Sequence, residues 1–168
     1  DPLSDAALGA LVAAMADKHD GLAVDPESLS VFALAERIAR SDVPVLIGGP
    51  TGTGKEVLSR FIHARSSRSA GPFIAVNCAA MPETMLEAML FGHRKGAFTG
   101  AIENHDGVFS RCTPHGAIFL DEIGDVSVPV QIKLLQVIQE RTFAPVGSHD
   151  RLRFQGRVIA ATNRPLDD

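Results

Sequence analysis

The sequence contains no tryptophan and no tyrosine among its 168 residues, so phenylalanine supplies all of its benzenoid side chains. Proteins that hold single-stranded nucleic acid stack its bases on exposed aromatic rings, and this composition makes such a site unexpected. Basic charge is also scarce, because 16 lysine and arginine residues face 20 aspartate and glutamate residues and leave a net charge of −4. The chain is therefore not expected to bind DNA by bulk electrostatic attraction.

Long apolar runs and targeting signals are missing as well. No run approaches the ~20 residues that a membrane-spanning helix needs. The first residues lack the basic stretch followed by an apolar one that marks a secretory signal. We therefore expect a cytoplasmic protein without membrane contact, and the missing initiator methionine indicates an excerpt. The two cysteines, Cys78 and Cys112, suit a reducing compartment, where two buried free thiols are favoured over a disulfide.

The first forty residues predict two helices joined by a linker. Residues 5–18 are rich in alanine and leucine, and residues 17–21 are polar. A second helix is predicted over residues 26–40, because Asp25 suits an N-cap and Pro26 the first helical position. We expect residues 1–21 to form an N-terminal helix and linker, and residues 22–168 to form one larger domain.

Four short apolar runs predict strands, at residues 43–47, 73–76, 117–120 and 158–161. None of them alternates polar with apolar residues, so each is expected to be buried on both faces, as in a parallel sheet between helices. Helical spacing separates the runs, with Ser127 as a suitable N-cap of the last helix and Pro129 in its first turn. The residues that mark the three helices are Val57, Leu58, Phe61 and Ile62, then Met85, Leu86, Met89 and Leu90, then Val130, Leu134, Val137 and Ile138.

This alternation predicts an α/β fold, a parallel sheet sandwiched between helices. In such sheets, ligands bind outside the carboxyl ends of the strands. Each of the four runs is followed at that end by glycines or polar residues. We therefore expect a ligand site along this edge.

A glycine-rich segment follows the first run and precedes a helix. It matches the phosphate-loop pattern G-x-x-x-x-G-K with Gly49, Pro50, Thr51, Gly52, Thr53, Gly54 and Lys55. Glycines let backbone amides wrap around a phosphate, the helix offers its positive end, and Lys55 would reach the β and γ phosphates. A strand-to-helix turn with a solvated lysine is the alternative. Glu56 stands where the motif usually has the Ser or Thr that binds Mg²⁺, so that ligand is expected elsewhere.

Two carboxylates, Asp121 and Glu122, follow the third run. Hydrolysis of a nucleoside triphosphate needs Mg²⁺ near the phosphates and a positioned water. Asp121 suits the metal, directly or through water, and Glu122 suits polarisation of the water. A solvated strand end is the alternative for the pair alone. Combined with the phosphate loop, the pair predicts ATP and Mg²⁺ as cofactors.

Asparagines follow the second and fourth runs. Asn77 could hold Glu122 away from the water in one state, and Thr162 or Asn163 could contact the γ-phosphate side. Each asparagine could instead be an ordinary turn residue at a strand end. We count Asn77 with the catalytic residues, together with Lys55, Asp121 and Glu122. The predicted nucleotide-binding residues are Gly49 to Lys55, Glu56, Val57 and Asn163.

Five strings carry a family resemblance. They are Gly52-Thr53-Gly54-Lys55-Glu56, Phe91-Gly92-His93, Gly96-Ala97-Phe98-Thr99-Gly100-Ala101, Phe119-Leu120-Asp121-Glu122-Ile123-Gly124-Asp125 and Ala160-Ala161-Thr162-Asn163. Together they resemble the central AAA+ ATPase domain of sigma-54-dependent transcriptional activators, the bacterial enhancer-binding proteins. The resemblance covers residues 22–168, and the third string is nearly diagnostic of the family. Glu56 after the lysine is also the family's habit.

The resemblance implies a phosphate-loop AAA+ core that assembles as a ring, usually a hexamer, with ATP hydrolysed between subunits. It also implies that the loop from Gly96 to Ala101 contacts sigma-54 RNA polymerase through Phe98 and Thr99, and so remodels the closed promoter complex. Small residues around Phe98 suit a mobile contact loop; a hairpin tip with Phe98 folded into the core is the alternative. Three residues beside the loop are interpreted as solvated: His93, Arg94 and Lys95.

Other family parts are expected beyond Asp168, namely the arginine fingers, the helical lid, the second sensor arginine and the DNA-binding domain. DNA contact is therefore expected only through a domain absent here. The sequence also lacks an arginine that the family uses between subunits, at Ala144-Pro145-Val146-Gly147, unless Arg141 or Arg151 substitutes. This departure, with Pro50, leaves an alternative: an ATP-binding regulatory module that has lost hydrolysis. A small-molecule phosphotransferase is disfavoured because it gives no role to Phe98 and Thr99.

Overall fold

The computed structural model describes residues 23–24, 38–41, 43–49, 54–112 and 115–163. The predicted helix over residues 5–18, the linker, most of the helix over residues 26–40 and residues 50–53 of the phosphate loop lie outside the described residues. Ile38 and Ala39 are helical, and both the amide and the hydroxyl of Ser41 donate to the Ile38 carbonyl at 3.0 Å. This part of the second helix therefore ends where the sequence predicts.

The elements follow in the alternating order that the apolar runs predict. In chain order they are β1 (Ala23–Val24), β2 (Val45–Gly48), α1 (Lys55–Ala64), β3 (Phe73–Asn77), α2 (Glu83–Phe91), α3 (Val108–Arg111), β4 (Ala117–Asp121), a 3₁₀ turn (Ile123–Asp125), α4 (Val128–Glu140), β5 (Thr142–Phe143), β6 (Leu152–Arg153) and β7 (Arg157–Thr162). Within the described residues, none of the helices is long and apolar enough to cross a membrane.

Five strands form one sheet in the order β1-β2-β7-β4-β3, and every described pair in it is parallel. Strands β5 and β6 form a separate antiparallel pair. The predicted α/β fold with a parallel sheet is confirmed. The carboxyl ends of β2, β7, β4 and β3 consequently lie along one edge.

The inner strands are buried on both faces, as their continuous apolar runs predict. Leu46 packs in a cluster with residues of α2, α3 and α4, whereas Val45 and Ile47 pack in a second cluster that includes Leu58 and Ile62 of α1. In β4, Phe119 belongs to the second cluster, while its neighbours in the strand belong to the first. The sheet is therefore sandwiched between two apolar layers.

Strand β3 departs from the prediction of burial on both faces. It lies at the edge of the described sheet, and Ala75 and Asn77 are exposed while Val76 is buried. Helix α2 also has a mixed pattern, because Met85 is 59% exposed although the adjacent Leu86 is buried. Apolar composition alone overestimates burial at these two places.

Local contacts fix the elements around the site. Ser127 caps α4, accepting a hydrogen bond from the Val130 amide at 3.4 Å, with proline in the first turn as predicted. Arg157 at the start of β7 is buried, and its guanidinium donates to the carbonyls of Ile38, Ala39 and Val43. Arg157 thereby links the end of the helix that precedes β2 to the first residue of β7.

The two cysteines are buried free thiols, as predicted.

Candidate functional site

The polar ends of the strands meet at one edge, as the sequence predicts. In the register, Gly48 of β2 lies beside Thr162 of β7, and Asn77 of β3 lies beside Asp121 of β4. The Gly49 amide donates to the Thr162 carbonyl at 3.2 Å, which continues the pairing beyond the end of β2. The start of the phosphate loop, the acidic pair and the asparagines are therefore neighbours in space.

Lys55 occupies the centre of this edge. It is the first residue of α1, and its side chain is buried although it is charged. Its Nζ donates to the Gly49 carbonyl at 2.8 Å and to Glu122 Oε1 at 3.2 Å. These two partners compensate the buried ammonium group and fix its position next to Gly49, the first residue of the phosphate loop.

Glu122 follows β4 in a left-handed conformation, with φ 61° and ψ 49°. A residue with a Cβ in this region costs about 1–2 kcal/mol, so the surrounding structure must stabilise the turn. One carboxylate oxygen, Oε1, binds Lys55, and Oε2 accepts from the Asn163 amide at 3.3 Å. The turn and these two partners fix the carboxylate against both the lysine and the end of β7.

Asp121 forms no ion pair with the described residues, whereas Glu122 pairs with Lys55. Burial raises the pKa of its carboxyl group above the ordinary value, and the negative charge of Glu122 raises it further, while Lys55 partly offsets both effects. Its Oδ1 is buried and has no hydrogen-bond partner among the described residues. An uncompensated carboxylate oxygen of this kind fits a divalent cation or a metal-bound water.

Cys78 is a buried neighbour of the acidic pair. Its amide donates to the Asp121 carbonyl at 2.9 Å, and its side chain is buried. Burial, with smaller contributions from the charges of Asp121 and Glu122, raises the pKa of the thiol to about 12. The thiol therefore stays neutral beside the carboxylates and adds no further negative charge.

The remaining predicted site residues have different surroundings. Asn77 Oδ1 accepts from the Ala79 amide at 3.1 Å in a local turn, and its proposed control of Glu122 stays a prediction. Glu56 is exposed and pairs with Arg60 one helical turn later at 3.1 Å. Val57 is 66% exposed. Both side chains are exposed, and their contact with a nucleotide also stays a prediction.

The loop from Gly96 to Ala101 is held at its neck by hydrogen bonds. His93 and His105 exchange two backbone hydrogen bonds, and the Lys95 amide donates to Asn104 Oδ1 at 2.7 Å. The neighbouring segment adds two more, from the Arg94 amide to the Val146 carbonyl and from the Val146 amide to the Gly92 carbonyl. The neck is therefore fixed from two directions.

The tip of the loop is a tight turn that projects from this neck. The Gly96 amide donates to the Ala101 carbonyl at 2.8 Å, and the Ala101 amide donates to the Phe98 carbonyl at 3.0 Å. Gly96 and Gly100 have φ angles of 82° and 93°, a conformation that requires glycine even though space for a Cβ is available. Thr99 at the tip is exposed.

Two statements about this region from the sequence are wrong. The alternative with Phe98 folded into the core is the first, because Phe98 is 36% exposed and packs on the His93 ring instead; its contact with sigma-54 stays a prediction. His93 is half-buried rather than solvated, because its ring contacts Phe98 and lies 5.6 Å from the His105 ring. The phenylalanines on either side, Phe91 and Phe98, were the available sequence signal for an apolar environment.

The two candidate substitutes for the missing inter-subunit arginine differ in availability. Arg141 donates to the Gly156 carbonyl at 2.7 Å and lies over the Phe154 ring. Arg151 is more than half exposed and pairs with Glu140 at 3.2 Å. Arg141 is thus engaged inside its own chain, and Arg151 is the one at the surface.

Comparison with known proteins is consistent with this site. Residues 22–168 match the family described as the sigma-54 interaction domain. The transcriptional regulatory protein GlrR of Escherichia coli K12 is 50% identical over 141 residues, which are 84% of this chain and 32% of GlrR. The sigma-54-dependent transcriptional activator SfnR of Pseudomonas putida is 50% identical over 143 residues, which are 85% of this chain and 39% of SfnR.

A solved structure has the same fold. NtrX from Brucella abortus, crystallised in complex with ATP, has a TM-score of 0.71 at 32% identity, and the match covers 83% of this chain and 30% of NtrX. The chain spans about a third of the length of the relatives that it matches. The match runs through the phosphate loop, the acidic pair and the loop from Gly96 to Ala101, and this chain belongs to the sigma-54 interaction domain family of bacterial transcriptional activators.

Proposed function

We propose that this chain binds ATP with Mg²⁺ at the carboxyl edge of its sheet and hydrolyses it within a cytoplasmic sigma-54-dependent activator. The observation that supports the proposal is the position of the buried Lys55. It contacts Gly49 of the phosphate loop and forms an ion pair with Glu122, while the adjacent Asp121 has a raised pKa. Phosphoryl transfer depends mainly on positioning and on charge stabilisation, and these residues provide the parts for both. The binding of ATP by NtrX supports the choice of nucleotide.

Each residue of the edge has a role that follows from its surroundings. Lys55 would exchange its contact with Glu122 for the β and γ phosphates, because a phosphate offers the stronger negative charge. Glu122 would then be free to polarise the attacking water, as a general base. Asp121 would hold Mg²⁺ through its unpartnered oxygen. The cation, when bound, neutralises charge on the phosphates.

The loop from Gly96 to Ala101 supplies the proposed contact with sigma-54 RNA polymerase. Phe98 and Thr99 stand at its tip, where Thr99 is exposed and Phe98 is partly covered by the His93 ring. Exposed residues on a supported loop are suited to a partner contact. The active form is proposed to be a ring, with a hexamer as its usual size, and DNA is reached through another domain of the full-length protein.

A continuous set of contacts joins the acidic pair to the loop. The 3₁₀ turn after Glu122 leads into α4, where Lys133 Nζ binds Glu87 of α2 at 2.6 Å. Helix α2 leads directly into the neck of the loop, which also bonds to Val146 in the segment after α4. A shift of Glu122 on nucleotide binding would therefore have two packed routes to the loop.

The variant Glu122→Gln tests the catalytic part of the proposal. The amide keeps the shape of the side chain but is a poor base, so the full-length protein should bind ATP normally and lose hydrolysis by ~10²–10⁴-fold. Glu83→Gln, which alters an exposed carboxylate in the first turn of α2, is the matched control and should leave turnover unchanged.

The outcomes separate the candidate functions. Wild-type turnover in Glu122→Gln would remove Glu122 from the catalytic role. A wild-type protein that binds ATP tightly but does not hydrolyse it, even when assembled, would instead indicate a regulatory ATP-binding module.

A further inference from the structure

The His93 ring supports the Phe98 ring at the base of the contact loop. Their centroids lie 4.9 Å apart with the planes at 68°, the edge-to-face arrangement that aromatic pairs prefer. Phe98 is 36% exposed, and the part of its ring that packs on His93 is covered in this conformation. That part of the residue proposed to contact sigma-54 is therefore not available to a partner here.

His93 is a firm support because its backbone is bonded on both sides. Its amide and carbonyl pair with His105 at 2.9 and 2.8 Å, and its chain neighbours, Gly92 and Arg94, both bond to Val146. The His93 Nδ1 is buried without a hydrogen-bond partner among the described residues. Packing of the ring, rather than a hydrogen bond through this nitrogen, is what the position uses.

The surroundings of Phe98 allow it to leave. An open groove of about 580 Å³ is lined by the ring pair and also by Met85 and Met89 of α2. Both methionines are exposed, so the groove is not sealed. Phe98 can therefore separate from His93 without disruption of the buried core.

We propose that His93 is a positioning residue for the sigma-54 contact. Its ring holds Phe98 in a docked conformation, and the loop engages sigma-54 only after this ring contact opens. The inference rests on the proposed function of Phe98, but the docking of the two rings can be tested without any partner. Loss of the His93 ring should loosen the loop and make Phe98 available without nucleotide.

Hydrogen exchange of the full-length protein without nucleotide tests the docking. The amides of Gly96, Ala97 and Ala101 are hydrogen-bonded within the loop and report its opening. His93→Ala should make them exchange ~2–10-fold faster, the fold-change expected from loss of one aromatic pair. His93→Phe keeps a ring and should exchange like the wild type, as should the control His115→Ala, which alters an exposed histidine outside the loop and its neck.

A local effect must be distinguished from general destabilisation. Faster exchange in β4 as well as in the loop of His93→Ala would indicate general destabilisation. In that case His93→Leu, which keeps apolar volume without an aromatic edge, is the variant to measure. It should speed exchange in the loop alone. Unchanged loop exchange in both variants, or loop exchange in His93→Phe as fast as in His93→Ala, would overturn the proposal.

Capture of purified sigma-54 without nucleotide provides the functional readout. His93→Ala should capture more sigma-54 than the wild type, and His93→Phe should not. Faster loop exchange without any gain in capture would contradict the proposed sigma-54 contact through Phe98, although it would support the docking of Phe98 on His93. The two failures are therefore distinguishable.

Discussion

Replacing Lys55 with methionine breaks the buried ion pair between its ammonium group and Glu122. The two side chains are only 4% and 12% exposed, and Nζ lies 3.2 Å from Oε1. Removal of one partner of a buried pair costs ~3–5 kcal/mol, because the remaining charge is left without compensation. In Lys55→Met, the Asn163 amide would still donate to the Glu122 carboxylate, but the ammonium group that balances its charge would be gone.

Adding Glu122→Gln should restore most of that stability. The second change removes the stranded charge, so the double variant is expected to lie within ~1 kcal/mol of wild type although it lacks both ionised groups. Lys133→Met is a matched control, since its pair with Glu87 is partly exposed and its loss should cost at most ~1 kcal/mol.

Hydrogen exchange of the β4 amides in the full-length protein measures this stability. The chain offers no tryptophan or tyrosine as a fluorescent probe, and β4 lies in the core. Lys55→Met should lower protection by roughly 10²- to 4 × 10³-fold, which is the conversion of the expected loss at 1.4 kcal/mol per factor of ten. Equal protection in the single and double variants would refute the argument that the stranded carboxylate causes the loss.

Three further predictions follow from single contacts. Asp121→Asn should raise the unfolding temperature of the nucleotide-free protein at neutral pH, since the folded state raises the pKa of this carboxyl group and so binds its proton more readily than the unfolded chain; the gain should shrink as the pH falls through the raised pKa, and a gain that grows on acidification would contradict it. Arg157→Met should cost ~3–5 kcal/mol in urea unfolding, because two buried carbonyls and one partly buried carbonyl lose their donor, and a loss below ~1 kcal/mol would contradict the proposed role of these hydrogen bonds. Gly147→Ala should cost ~1–2 kcal/mol from its φ of 82° and push on the Ala97 Cβ, which would lie 2.6 Å from the new methyl group; unchanged exchange of the Ala97 amide would exclude this contact.

The fold was predictable because its strands carry continuous apolar runs. Ile118, Phe119 and Leu120 can be buried on both faces only in a sheet covered on both sides, and the helices between the runs supply the covers. The edge that collects Lys55 and Glu122 follows from parallel strands, because their carboxyl ends must meet. The continuous apolar runs, the helical spacing between them and their order along the chain were sufficient for both conclusions.

The details of the site depend on contacts that sequence spacing does not encode. Lys55 and Glu122 are 67 positions apart, and their pairing requires the left-handed turn at Glu122, a conformation that its residue type does not signal. His93 is half-buried because distant His105 and Val146 pair with its segment. Arg157 is buried because carbonyls more than a hundred positions earlier accept its hydrogen bonds.

The central claim is that ATP chemistry and the sigma-54 contact use different residues of one domain. Thr99 is exposed at the loop tip, away from the pair of Lys55 and Glu122, so its side chain can be shortened without change to that pair. The decisive measurement is made on full-length Thr99→Ala, with ATP hydrolysis and capture of sigma-54 in ADP and aluminium fluoride assayed on one preparation. We predict hydrolysis close to wild type and no capture. Equal loss of both activities with a lowered unfolding temperature, or full capture, would contradict the account.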